Sequence, residues 1–212
     1  MSNDHDRGDH NHDAHAPPAD IPESYAEHLT TAVLELLVEK GILTADEVQR
    51  EIEVIERRTP AIGARVVARA WTDRAFYERL MNDGTAAVAE LGISMGNTDV
   101  RLSVIENTPA EHNVVVCTLC SCYPRALLGL PPAWYKSYAY RSRVVREPRA
   151  VLREFGVEIE PVRAVRVHDS TANSRFLVIP LRPPGTETWD EARLAGIVTR
   201  DSMVGVGLVA AP

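Results

Sequence analysis

The sequence predicts an α+β protein: an N-terminal helical arm followed by a layered α-β-β-α body that carries a cysteine claw loop. Three observations lead there. Apolar residues recur at helical spacing through the first ninety positions, and short β-branched runs take over after Gly96. All three cysteines then fall between Cys117 and Cys122, directly after the run Val114-Val115-Val116.

Residues 1–20 carry His5, His10, His12 and His15 among Asp, Asn, Gly and Pro, a composition that cannot form a core. A disordered tail is expected there, with weak gathering of divalent ions as the other reading of its imidazoles. The arm is expected over 21–95. Ala26, Leu29, Val33, Leu36 and Leu37 define a first helix that Gly41 ends. Thr44 and Glu47 form a capping-box pattern ahead of Val48, Ile52 and Ile55, and Pro60 interrupts the helical pattern after them. Further helices are expected at about 61–71 and 73–91, the second opening at Thr72-Asp73 and closing at Gly92. Stripes this thin bury little alone, so either the body or another subunit must cover them.

The body, 96–212, is expected to be the metal-binding catalytic domain. Strand-like runs stand at Val100–Val104, Val114–Val116, Ala164–Val167, Phe176–Ile179 and Val204–Val209. Between them a helix is expected from Pro148 to Phe155, stopped by Gly156, and another from Thr188, where Glu191 repeats the capping-box spacing.

Composition excludes several functions. The formal charge of −7 and the lack of a long basic run argue against nucleic-acid binding. The apolar stretches are far shorter than the ~18 residues of a membrane span, and the acidic, His-rich start is unlike a signal peptide. The expected compartment is the cytoplasm. With no cysteine outside the cluster a long-range disulfide is impossible, which leaves metal ligation or redox chemistry in a reducing cell.

Cysteines at positions i, i+3 and i+5 cannot face one point from an extended strand, so the chain must curl around what they bind. A structural zinc site wants four ligands from two separated pairs, and no second pair stands at suitable spacing. A redox Cys-x-x-Cys pair would leave Cys122 superfluous. If the loop closes on a trivalent ion, the amide nitrogens of Ser121 and Cys122 lie between the sulfurs, and three thiolates with two amidates leave one octahedral position open. Such a charged sphere needs cationic donors around it. Arg125, Arg141, Arg143 and Arg146 are the local candidates.

The run Val116-Cys117-Thr118-Leu119-Cys120-Ser121-Cys122-Tyr123-Pro124 closely resembles the metal-binding motif of nitrile hydratase α subunits. The resemblance continues through Gly129–Ser137, Tyr140–Val145, Pro180, Arg182-Pro183 and Arg200–Met203, and covers most of the chain from about Glu23. It implies a non-corrin cobalt(III) ion, in preference to iron(III), held by Cys117, Cys120, Ser121 and Cys122. Cys117 would be axial, Cys120 a sulfinic acid and Cys122 a sulfenic acid. Thr118 and Tyr123 are similar to the cobalt branch, where the iron branch tends to have Ser and Thr. The implied activity is hydration of a small nitrile to its amide, with Cys122, Cys120 and Ser121 at the reacting centre and the sulfenate as base or nucleophile. A β subunit and an α2β2 assembly are implied with it. Arg125 departs from the Trp of many relatives and resembles thiocyanate hydrolase, a related cobalt enzyme, which is the alternative expectation. A metal-carrying assembly protein without activity is the third.

Other residues carry weaker signals. His168-Asp169-Ser170 cannot converge as a catalytic triad and reads as a strand end with a turn. His112 reads as a solvent-facing residue before a strand, with a place beside the metal ligands as the alternative. Trp134, Tyr135 and Tyr138 either line a substrate channel or pack the claw loop and a subunit interface. Asp201 and Ser202 read as structural.

Overall fold

The computed structural model describes residues 25–96 and 99–210, so the His-rich tail lies outside the described residues. The chain divides into two compact units, Met1–Arg50 and Glu51–Pro212. In the first, α1 (Tyr25–Glu39) ends in a turn at Gly41, and α2 (Ala45–Glu56), whose residues from Glu51 onward belong to the second, opens on the expected capping box. There the Thr44 amide donates to Glu47 Oε2 at 2.8 Å and the Glu47 amide to Thr44 Oγ1 at 3.2 Å. The apolar stripe stays open: Leu29, Val33 and Leu36 are about half exposed, and α2 buries no residue.

After α2 the second unit continues with α3 (Pro60–Thr72), which Pro60 starts at the first helical position, where a missing N–H costs nothing. The single helix expected over 73–91 is instead two, α4 (Arg74–Asn82) and α5 (Gly84–Ala89). Aspartate is the reason. Asp73 caps α4 by accepting from the Phe76 amide at 2.9 Å, and Asp83, in extended backbone, caps α5 by accepting from the Ala86 amide at 3.0 Å.

Four strands follow among the described residues, in two parallel pairs. β1 (Arg101–Glu106) pairs with β4 (Ser174–Ile179), and β2 (Glu111–Val116) with β3 (Ala164–Asp169). Parallel pairing needs long crossovers. Residues 117–163 make the one between β2 and β3, with the cysteine loop and four short helices: α6 (Arg125–Leu128), α7 (Ala133–Lys136), α8 (Tyr138–Arg143) and α9 (Pro148–Glu154). Only the last was expected. Helices α4 and α5 pack on β1 and α9 on β3, so the body is α+β with its strands covered by helices. The core gathers Val66, Phe76, Leu80, Val114–Val116, Leu177–Ile179 and Met203.

Two expectations near the C-terminus are corrected. Helix α10 (Glu191–Ala195) is capped by Asp190, which accepts from the Arg193 amide at 2.8 Å, and not by Thr188. Residues 204–209 form no strand. A capping box between Thr199 and Ser202 starts α11 (Arg200–Val204), which packs on β4 and β2 and ends at Gly205 with φ +89°. A Cβ at Gly205 would stand 1.9 Å from the Asn113 carbonyl oxygen, so only glycine lets this turn close on β2.

Candidate metal centre

The valines of β2 are buried and deliver Cys117 at 1% exposure. Beyond it the chain curls, with Leu119 86% exposed at the tip, and returns Cys122 to 9%. The three sulfurs all lie within 4.8 Å of one another, with Cys117 to Cys120 at 3.7 Å and Cys120 to Cys122 at 3.4 Å. A single ion with sulfur at about 2.3 Å would set neighbouring octahedral donors about 3.3 Å apart and opposite ones about 4.6 Å apart. The trio fits that range. The Cys120 amide donates to Cys117 Sγ at 3.3 Å, and the Ser121 and Cys122 amides both act on the Cys120 sulfur, so the loop backbone faces the point the sulfurs share.

Protonation is uneven across the trio. Burial, with the hydrogen bonds from Cys120 and Cys117, pushes the Cys122 thiol up to about 12, whereas the Cys122 side chain and the two amides lower Cys120. Three thiolates this close repel one another unless a cation sits among them. The donor set therefore suits a metal ion.

Long-range contacts hold the loop in shape. Parallel register sets Val116 beside Asp169, and Asp169 accepts from the Thr118 amide at 3.0 Å and from Thr118 Oγ1 at 2.5 Å. Asp169 thus does more than end a strand. Tyr135 donates to the Cys122 carbonyl at 2.9 Å, Tyr140 to the Val115 carbonyl at 2.7 Å, and Arg141 to the Leu119 carbonyl at 3.0 Å. Tyr123 and Trp134 stack edge-on against Tyr135, so Trp134 and Tyr135 pack the claw loop, while Tyr138 is exposed. Burial raises the Tyr123, Tyr135 and Tyr140 phenols well above their ordinary values and keeps them neutral.

His112 is not solvent-facing. It is fully buried, donates from Nε2 to the Gly205 carbonyl at 2.8 Å and meets Asn107 at 3.3 Å, because β2 carries it under α11. Burial lowers its pKa. The network continues through Asn113 to His168, whose Nε2 lies 2.8 Å from Asn113 Oδ1.

A cavity of about 320 Å³ opens on the claw, with Cys120, Ser121 and Cys122 on one side and Arg58, Arg125 and Arg175 around it. Of the four arginines expected near the centre, Arg125 and Arg141 are there. Arg143 is instead tied to Glu147 and Glu154, each at 2.6 Å, and no contact of Arg146 with the loop is found among the described residues. Arg58 and Arg175 carried no sequence signal, standing about sixty residues before and fifty after the motif.

The sequence model of the nitrile hydratase alpha chain matches residues 24–207. The chain belongs to this family. It is 51% identical over 177 residues to the cobalt-containing nitrile hydratase subunit alpha of Pseudonocardia thermophila, covering 82% of this chain and 86% of that one. It is 40% identical over 203 residues to the thiocyanate hydrolase subunit gamma of Thiobacillus thioparus, covering 90% and 84%. Among solved structures, a double mutant of the Fe-type nitrile hydratase from Comamonas testosteroni Ni1 matches with TM-score 0.83 at 40% identity, over 90% of this chain and 94% of that one. In nitrile hydratase terms, the residues matched include Cys117–Cys122, and the fold that presents them is the family's.

Proposed function

We propose that this chain is the metal-carrying α subunit of a cobalt nitrile hydratase, which adds water to a nitrile and releases the amide. The observation that carries the reading is the convergence of three sulfurs within 4.8 Å at the mouth of a cavity. The family membership and the cobalt-containing relatives support the identity of the ion. Cys117, Cys120, Ser121 and Cys122 would hold it. With cobalt(III) bound there, the site would offer a Lewis acid to a nitrile.

The chain's own groups do the rest. Cys120 and Cys122, as sulfinate and sulfenate, would set the charge of the site, and the Cys122 sulfenate oxygen would take the proton of the adding water, or would add to the carbon itself and be replaced by an oxygen from water as the amide leaves. Arg175, whose positive charge bears on Cys122, offsets that charge. Asp169, Tyr135 and Arg141 keep the loop closed. A β subunit, in an α2β2 assembly in the cytoplasm, would cover the cavity mouth and the open stripe of α1. No helix of the described residues is long and apolar enough to cross a membrane.

Metal analysis after production in cobalt medium should give about one cobalt per chain, with a sulfur-to-metal absorption band that Cys120→Ala abolishes. Stoichiometric zinc in place of cobalt would overturn the reading. Arg125 on the cavity wall favours a second one, hydrolysis of thiocyanate, which a parallel assay of thiocyanate and acrylonitrile decides.

A further inference from the structure

The cationic wall of the cavity is only partly used by the claw. Arg175 is committed: its guanidinium donates to the Thr171 and Ser174 carbonyls, and its charge acts on Cys122. Arg58 and Arg125 differ. Both line the cavity, yet among the described residues neither guanidinium has a hydrogen-bond or ion-pair partner. No carboxylate lines the cavity among the described residues either.

The Arg58 backbone is also held in place. Its carbonyl oxygen lies 2.3 Å from where a Cβ on Gly129 would stand, and Gly129, with φ +70°, ends α6, the helix that Arg125 begins. The two backbones thus meet at one turn, and both arginines line one hollow that no carboxylate lines among the described residues. A cavity wall with cations and no carboxylate draws an anion to it.

We propose that the preferred substrates are nitriles that carry a carboxylate, gripped by Arg58 and Arg125 while the nitrile end reaches the wall of Cys120, Ser121 and Cys122. The proposal rests on the nitrile hydratase reading and specifies its substrate class. Carboxylate fits better than the linear thiocyanate ion for two reasons. A guanidinium presents a planar fork that a carboxylate engages with two parallel hydrogen bonds. The cavity, at about 320 Å³, is also far larger than a triatomic ion fills. Met95, Val100 and Ala126 supply an apolar stretch of wall for the carbon chain between the two ends.

The test uses the full chain produced with its partner subunit and loaded with cobalt. Turnover of 3-cyanopropanoate, butyronitrile and thiocyanate is compared in the parent protein, Arg125→Gln, Arg58→Gln and Arg125→Lys, each checked for cobalt content. Butanoate, which has no nitrile, is titrated by calorimetry at fixed ionic strength. The expected result is a preference for 3-cyanopropanoate over butyronitrile in kcat/KM. Each Gln variant should lower that preference about 10- to 100-fold, through KM, with butanoate binding weakened in parallel. Arg125→Lys should recover part of it.

Equal use of the charged and neutral nitriles, or a preference that neither Gln variant moves, overturns the proposal and leaves the hydratase reading standing. Faster turnover of thiocyanate than of either nitrile overturns it in favour of the inorganic anion. If a cobalt-loaded complex hydrates nothing, the hydratase reading fails, and butanoate binding still decides whether Arg58 and Arg125 form an anion site.

Discussion

Asp169 grips Thr118 with both carboxylate oxygens, and Thr118 sits between the first cysteine and the loop tip. Groups that orient metal ligands in this way are typically worth 10–100-fold in metal affinity or activity. Asp169→Asn keeps the shape but gives up the charge and one acceptor, so cobalt retention against a chelator should fall by about that factor while the fold persists. Unchanged retention would show that the loop holds itself. His112 makes a different prediction. Its folded pKa lies below the ordinary 6.5 because burial disfavours the cation. Below pH 6.5 the unfolded chain therefore binds more protons than the folded one, and stability falls as pH falls from 6.5 toward the lowered value. His168, lowered by burial in the same way, adds with the same sign. Urea midpoints should drop between pH 7.5 and 5.5, and less steeply in His112→Gln; a flat profile would contradict the neutral, buried histidine. The cysteines were legible in the sequence because their spacing is local. Asp169, Arg58, Arg175 and the burial of His112 were not, since each acquires its role only from a partner far away in the chain.

At the scale of elements, single residues decide where helices begin and how closely they approach. Asp83→Ala removes the cap that splits α4 from α5 and should cost about 1 kcal/mol, read as a lower urea midpoint. Gly205→Ala is harsher, because a left-handed turn and an approach of 1.9 Å to the Asn113 oxygen are both violated. A loss of about 2–5 kcal/mol is expected by chemical denaturation, with β2 and its cysteine loop disturbed first. A loss under about 1 kcal/mol would mean that α11 and β2 can simply part. The capping pattern of Thr44 and Glu47, the stop at Gly41 and four of the five strand runs could be read from sequence, because caps and β-branched runs are local signals. The split at Asp83 was hidden by apolar spacing that continues across it. Helices α6 to α8 are one or two turns long and too short to set up a period. The run Val204–Val209 has strand composition, but a capping box placed just before it wins.

The whole molecule presents an apolar stripe on α1 and a cavity that opens beside the metal motif. If the stripe is where the partner subunit docks, Val33→Glu with Leu36→Glu should abolish co-purification of the two chains while the thermal midpoint of the isolated chain barely moves. A matching loss of midpoint would place those side chains inside this chain's own core instead. From the sequence, the thin stripes of the arm expected over 21–95 bury little alone and call for cover by the body or by another subunit. The parallel pairing of β2 with β3 has a consequence of a different kind, one of timing. Thr118 and Asp169 are 51 residues apart, so during synthesis the three thiols emerge well before the carboxylate that locks their loop. Until β3 docks, the cysteines belong to a flexible segment that any thiophilic ion in the cell can visit. The rate of strand docking therefore sets how long the wrong metal has to arrive first.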